Sequence, residues 1–274
     1  KNAEKTMKYS TQLLEETINK GYSFEIDEAI IDGWNIFKKY AWAFLVYWLI
    51  VLVIIGVMFF IPLVGRLAVN IMLPVFLAGN YVVCHKMIRE QRYQFNDFFG
   101  GFKIGTGIWF VGLVKGVIFW IILMLSFVPI IVSLNLNGLE AVDFGAKLWL
   151  SLVGGGLLMS YLWISWMYAV PIMTLFQVNF WQALEFSRRL TAKRFGLILV
   201  FYLAILVLGA LVFAISYLLA SLNLATLLVI VNFISALFLV PIYYTTIFSS
   251  FSKMVDLDGD MELDIMDHLI IDKF

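Results

Sequence analysis

Six long apolar stretches constrain the fold of this sequence more than any other feature. They lie at 41–64, 67–85, 106–134, 148–178, 197–222 and 224–250. About twenty apolar residues suffice for a helix to cross a bilayer, and helices satisfy their own backbone hydrogen bonds there. The composition agrees, since 62% of the 274 residues are hydrophobic and only 14% are charged. We therefore predict an all-α protein, a polytopic bundle of six transmembrane helices (spans 1 to 6) within residues 27–254.

Two polar segments flank this membrane domain. Residues 1–26 are predicted to form a polar cytoplasmic N-terminal segment, and residues 255–274 an acidic cytoplasmic tail. The tail sequence DLDGDMELDIMD spaces its carboxylates as a calcium loop does, but an EF-hand needs glycine at its sixth position, where Met261 stands. We expect a solvated acidic segment, and calcium binding remains the alternative.

Lysine and arginine are distributed unevenly between the two sides of the predicted bundle. One side carries eleven of them near the span ends, and the other carries only Arg66 and Lys147. Positive residues in short connections stay in the cytoplasm, so both termini are predicted to be cytoplasmic. The eleven are Lys38, Lys39, Lys86, Arg89, Arg92, Lys103, Arg188, Arg189, Lys193, Arg194 and Lys253.

Amphipathic helices are predicted before spans 1, 3 and 5. In the first, Ile30, Trp34 and Phe37 share one face. In the second, the phenylalanines of FNDFFGGF (95–102) recur at i, i+3, i+4 and i+7. In the third, one side carries Phe180, Ala183, Leu184, Ser187 and Thr191. Helices with aromatic and basic faces lie at the headgroup level of a membrane.

An internal repeat is suggested by residues 29–55, which align without gaps on 183–209. Pro74 and Pro241 support it, because each precedes a Lys-Met pair by twelve residues. We therefore predict repeated units, each an amphipathic interfacial helix followed by a transmembrane hairpin.

The basic residues of the predicted cytoplasmic side are candidates for binding. Arg188, Arg189, Lys193 and Arg194 fall within seven positions, and Arg89, Arg92 and Lys103 flank the second amphipathic helix. Such residues serve as topology determinants, and they attract anionic lipid headgroups or the acidic surface of a protein partner in the membrane. The net charge of zero gives no support to a nucleic-acid partner.

Lys115 is the ionisable residue that lies well inside an apolar run. Such a charge indicates an ion path or an anionic ligand, unless the side chain extends to the headgroups. The flanking Gly112 and Gly116 have the spacing of closely packed membrane helices. Pro74, Pro171 and Pro241 are predicted to kink spans 2, 4 and 6, either to shape the bundle or to line a transport path.

Catalytic motifs are sparse in this sequence. It has two histidines, His85 and His268, and a single cysteine, Cys84. We expect no metal site, no cofactor and no enzymatic activity, because iron or zinc chemistry would need a cluster of such ligands. A lipid-processing enzyme that uses interfacial residues remains an alternative.

Two short motifs resemble a known group of proteins. They are N-x-F-F-x-G-F-K (Asn96 to Lys103) and A-L-x-x-S-x-R-x-x-x-K (Ala183 to Lys193). Together with the six-span layout, they resemble the YciC-like proteins and the membrane domain fused to some glycerophosphodiester phosphodiesterases. The resemblance covers about residues 27–254 and implies a multi-pass protein of the bacterial inner membrane. The phosphodiesterase chemistry belongs to a domain that this sequence does not contain.

The leading functional prediction is therefore a non-enzymatic inner-membrane protein. It engages lipid or a partner membrane complex through its basic cytoplasmic helices. The alternative is a small transporter with a path near Lys115 and the proline-containing spans 2, 4 and 6.

Overall fold

The structure, a computed structural model, describes residues 9–61, 64–137, 146–176 and 178–257. Helices and their connections make up this part of the chain, and no strand occurs in it. The tail from 258 onwards lies outside the described residues, and with it all of the alternative calcium loop except Asp256 and Leu257. The helices are α1 (Thr11–Lys20), α2 (Ile26–Lys39), α3 (Ala41–Phe59), α4 (Val64–Ile88), the 3-10 helix η1 (Phe95–Lys103), α5 (Gly107–Asn137), α6 (Ala146–Ser165), α7 (Ala169–Phe176), α8 (Phe180–Lys193), α9 (Phe195–Ser221) and α10 (Ala225–Val255).

Six segments of the described chain are long and apolar enough to cross a membrane. Five are single helices, and the fourth runs through α6 and α7. The protein is therefore a multi-pass membrane protein. The segments are Ala41–Phe59, Leu67–Ile88, Gly107–Pro129, Trp149–Phe176, Phe195–Ser221 and Ala225–Val255.

The helices outside the spans gather at one end of the bundle, which we call the packed end. Helix α2 packs on α10, η1 on α4, and α8 on α7, while α1 contacts α8 and α10. Residues 245–252 of α10 are all buried, and so are all eight residues of α7. A helix buried on every side is enclosed by protein, so the core of the molecule lies here.

The opposite, far end is packed much more sparsely. The outer turns of α9 and α10 expose large apolar side chains, with Phe213 74% exposed, Tyr217 72% and Val229 68%. Ser216 and Asn232 exchange a hydrogen bond that links these two helices, with 3.0 Å between Asn232 Nδ2 and Ser216 Oγ. Apolar side chains exposed in this way face the acyl chains of a bilayer.

We call α2, η1 and α8 the lead helices, because they precede spans 1, 3 and 5. Each packs against an even-numbered span: α2 against span 6, η1 against span 2 and α8 against span 4. Two of these contacts are made at glycine. A Cβ at position 33 of α2 would come within 2.5 Å of Thr246 Cα, and Cβ atoms at Gly79 and Gly101 would overlap the carbonyl oxygens of Phe98 and Val75. The internal repeat itself stays a prediction.

Local sequence explains where the lead helices begin. At the start of α8, Gln182 N–H donates to Asn179 Oδ1 at 2.8 Å, and Asn179 N–H donates to Gln182 Oε1 at 3.3 Å. At the start of η1, Gln94 N–H donates to Asp97 Oδ2 at 2.7 Å, and Asp97 also pairs with Lys86 at 2.9 Å. These reciprocal caps satisfy N–H groups that have no partner within the helix.

The second lead helix differs from the predicted α-helix. It is a 3-10 helix, in which residues three apart align and residues four or seven apart diverge. Phe98 is therefore buried, while Phe95 and Phe102 are about two-fifths exposed. The adjacent Gly100 and Gly101 bring its backbone against α4.

The first lead helix buries a face that shares Phe37 with the predicted apolar face. Ala29, Gly33 and Phe37 are buried against the bundle, while Ile30 and Trp34 remain exposed. Of the predicted face, Ile30 and Trp34 point away from the core, and α10 comes so close at Gly33 that a Cβ there would meet the Thr246 backbone.

Candidate functional site

The fourth span is broken near the packed end. Helix α6 ends at Ser165 and α7 begins at Ala169, so the predicted span 148–178 is not one helix. Pro171 is the third residue of α7, in a turn whose N–H groups have no partner within the helix, so proline is tolerated there. Pro171 therefore helps begin a helix and does not kink one, whereas Pro74 and Pro241 lie inside α4 and α10.

Ser187 of α8 bridges the two sides of this break. Its hydroxyl donates to the Ser165 carbonyl at 2.8 Å and accepts the Tyr168 N–H at 3.2 Å. Ser187 is completely buried, and so is Tyr168. One hydroxyl thus satisfies two buried backbone groups that a continuous helix would have paired internally.

Lys115 of α5 reaches the same break. Its Nζ donates to the Trp166 carbonyl at 3.3 Å and lies 5.2 Å from the centroid of the Trp163 ring. The ammonium group is therefore held by a backbone carbonyl at the break, which also accepts the Ala169 N–H at 3.3 Å, and by an aromatic face.

The glycines around Lys115 hold α5 against α4. A Cβ at Gly112 would overlap the Asn70 carbonyl oxygen, and one at Gly116 would lie 3.3 Å from Asn70 Cβ. In a regular helix the Asn70 carbonyl would accept the N–H of residue 74, four positions later. Residue 74 is proline, which has no N–H to donate. The close approach of α5 covers this part of α4.

The predicted basic residues have different environments at the packed end. Arg188 holds the Glu185 carboxylate through two hydrogen bonds of 2.9 and 2.7 Å, which lower the pKa of Glu185. Arg189 lies 5.9 Å from the centroid of the Phe186 ring, and Lys193 Nζ donates to the Asn19 carbonyl at 3.5 Å. The side chains of Arg92, Lys103, Lys193 and Arg194 are exposed.

Arg89 is placed differently from the other predicted cations. Its guanidinium carbon lies 5.4 Å from the centroid of the Tyr9 ring, and its Nε is buried without a hydrogen-bond partner among the described residues. Arg89 therefore belongs to the interface between α4 and the N-terminal segment.

Exposed aromatic side chains surround the same end of the bundle. Trp42 is 79% exposed, Trp181 66% and Trp34 46%. These tryptophans lie on or beside the lead helices, within a few residues of the exposed lysines and arginines. Tryptophan with neighbouring lysine or arginine is the usual composition of the interface between bilayer and water.

The N-terminal segment contributes contacts that the sequence analysis did not identify. Tyr9 hydroxyl bonds with His85 Nε2 at 2.8 Å, and Tyr22 hydroxyl donates to the Leu190 carbonyl at 2.8 Å. Between them, α1 buries Leu14 and Ile18. The spacing of these two residues by four, which places them on one helical face, was the signal available for finding this helix.

Comparisons with known proteins do not extend these observations. No protein-family model, curated protein or solved structure matches this chain.

Proposed function

We propose that this is a non-enzymatic, multi-pass protein of a bacterial inner membrane that binds anionic phospholipid at its packed end, which faces the cytoplasm. The observation that carries the proposal is the combination of exposed tryptophans and exposed cations on and beside the lead helices. Tryptophan places these helices at the depth of the headgroups, where lysine and arginine meet lipid phosphates. A protein partner is the competing occupant of this surface.

The proposed orientation rests on the count of basic residues. All eleven predicted cytoplasmic cations lie on the lead helices or at the packed ends of the spans. The excess of lysine and arginine on this side favours its retention in the cytoplasm. The resemblance to the YciC-like group supports the bacterial inner membrane.

Neutralising exposed cations is expected to weaken lipid binding. In the variant Arg92→Gln/Lys103→Gln/Arg194→Gln, retention of phosphatidylglycerol should fall by about tenfold or more, since each cation near an anionic surface contributes about 1 kcal/mol. The measurement is native mass spectrometry of detergent-purified protein that has been equilibrated with equal amounts of phosphatidylglycerol and phosphatidylcholine.

The control for this experiment is Arg188→Gln, which makes the same change to one charge on α8. Because the Arg188 guanidinium is already bonded to Glu185, the loss of phosphatidylglycerol should be smaller than for Arg194→Gln alone. Equal retention of both lipids by the wild-type protein and the triple variant would contradict the proposal. Co-purification of a stoichiometric protein that the triple variant loses would point to the partner instead.

Transport is the second candidate function, because span 4 is broken where Lys115 binds it. Broken spans with a charged residue at the break occur at transporter sites. In this structure the Lys115 ammonium is occupied by the Trp166 carbonyl and the Trp163 ring. The geometry therefore favours a structural role for Lys115 over an ion path.

Thiol labelling separates these two roles of Lys115. In a Cys84→Ala background, Lys115→Cys is expected to react with a charged maleimide at least about a hundredfold more slowly than Lys103→Cys, which is exposed. The reason is that a site enclosed by protein and acyl chains admits neither a charged reagent nor the thiolate with which it reacts. Labelling of Lys115→Cys at the rate of Lys103→Cys would reveal an aqueous path and favour transport.

A further inference from the structure

A groove of about 300 Å³ opens at the packed end between α2 and the last turns of α4 and α10. Its walls combine polar groups with the apolar side chains of Met87 and Ile88. The volume lies at the lower limit of small-molecule sites, which measure roughly 300–1,000 Å³. The polar residues that line it are Asp32, Asn35, Lys39, Ser249, Ser252 and Lys253.

Cations outnumber anions in the lining of this groove. Lys39 and Lys253 face Asp32, so the lining residues sum to one positive charge. Lys253 is engaged already, at 2.9 Å from both Glu28 and Asp32. Lys39 is exposed at the rim, on the last turn of α2. The groove therefore offers one lysine for a ligand, beside a second lysine that is fixed in place.

Ser252 adds an independent indication of a ligand. It is 97% buried, since only 3% of its surface is exposed, and it lines the groove. Its Oγ has no hydrogen-bond partner among the described residues. Serine in a helix ordinarily bonds a carbonyl of the preceding turn, as Ser250 does with Ile247 at 2.8 Å. A buried hydroxyl without such a bond keeps its donor unused, and it lies in a residue that lines the groove.

We propose that this groove binds a phosphate ester, with its oxygens held by Lys39 and by the hydroxyls of Ser252 and Ser249. A monoanionic phosphodiester matches Lys39, since the other lysine of the lining, Lys253, is already paired with Glu28 and Asp32. Phosphate oxygens accept from an ammonium and from hydroxyls, which are the donors present here. Met87 and Ile88 provide an apolar wall for the carbon chain of the ester. A membrane phospholipid and a soluble glycerophosphodiester share this chemistry, and the first of these two ligands rests on the proposed function.

Native mass spectrometry of the full chain tests this site. Detergent-purified protein is equilibrated with phosphatidylglycerol and then activated until weakly held lipids leave. One retained phosphatidylglycerol is expected for the wild type, and its occupancy should fall about tenfold in Lys39→Gln and in Ser252→Ala, as the loss of a bond to a charged group implies. The matched control is Lys38→Gln, the neighbouring exposed lysine of α2, which does not line the groove and should retain the lipid.

A second arm identifies the source of the phosphate. Delipidated protein is incubated with the soluble phosphodiester sn-glycero-3-phosphoglycerol alone. If the wild type keeps an adduct of this phosphodiester and Lys39→Gln loses it, the ligand of the groove is a soluble phosphate ester. If the wild type forms no such adduct but retains phosphatidylglycerol, the ligand is a lipid. Equal adducts in the wild type, Lys39→Gln and Ser252→Ala overturn the proposal.

These outcomes are separate from the test of the proposed function. Arg92, Lys103 and Arg194 do not line the groove. If only the triple variant loses lipid, the proposed lipid-binding surface is supported and the groove is not a binding site. If only Lys39→Gln loses lipid, the groove is supported and the surface is not.

Discussion

Replacement of Gly79 by alanine is expected to destabilise the protein by about 3 kcal/mol, at the upper end of the cost of overpacking. The added Cβ would overlap the carbonyl oxygen and carbon of Phe98, which belong to the backbone of η1. A backbone segment cannot rotate away as a side chain can, so η1 must move off α4. Phe98 is packed against Phe44 and Tyr47 of α3, and this aromatic cluster would move with it. The measurement is the midpoint of unfolding by SDS in mixed micelles.

The chain provides matched controls for this substitution. Gly56 and Gly209 also lie in spans, and a Cβ at either would meet nothing within 4 Å. Alanine at these two positions should leave stability unchanged or raise it slightly, because alanine favours a helix over glycine by about 1 kcal/mol. If Gly79→Ala unfolds at the same SDS concentration as Gly56→Ala, the close packing of η1 on α4 is wrong.

Replacement of Ser187 by alanine is expected to cost about 2–4 kcal/mol, because it leaves the buried Tyr168 N–H without an acceptor and removes the shorter of the two hydroxyl bonds to the Ser165 carbonyl. Each unsatisfied buried group costs about 1–3 kcal/mol. The Tyr168 N–H loses its acceptor, and the Ser165 carbonyl keeps only the longer bond from Thr191 at 3.5 Å. The break in span 4 should therefore open, and amide hydrogen exchange should accelerate over residues 165–169.

Ser160→Ala serves as the control for Ser187→Ala. Ser160 is exposed and bonds only within its own helix, to the Gly156 carbonyl at 2.9 Å. Its replacement should change neither the unfolding midpoint nor the exchange of residues 165–169. Exchange in Ser187→Ala that matches the wild type would show that the hydroxyl does not hold the break.

The long apolar runs predicted six membrane helices because backbone hydrogen bonding in lipid leaves a long apolar segment few alternatives to a helix. The break at Trp166 was not predictable in the same way, since residues 148–178 are apolar on both sides of it. What stabilises the break is Ser187 on α8 and Lys115 on α5, and a local pattern carries no information about such distant partners. Pro171 was the local signal, but proline is compatible with both a kink and the start of a helix.

The candidate binding residues were predicted only as a charged surface. The positions of Arg188 and Arg194 in the sequence do not show that the first is paired with Glu185 and the second is exposed. The groove was not predicted at all, because Lys39 and Ser252 are more than two hundred positions apart in the sequence. Helix α1 was also missed, since ten residues form a marginal helix without tertiary contacts such as those of Leu14 and Ile18.

The packing of α2 on α10 has a consequence for the order of assembly during synthesis. The contact joins parts of the chain that are far apart, as shown by the bond between Lys253 and Glu28, 225 positions earlier. While the first five spans enter the membrane, Gly33 and Phe37 have no surface to cover them. The sixth span therefore completes this contact, and a chain truncated before Thr246 exposes the surface by which quality-control proteases recognise unfinished proteins.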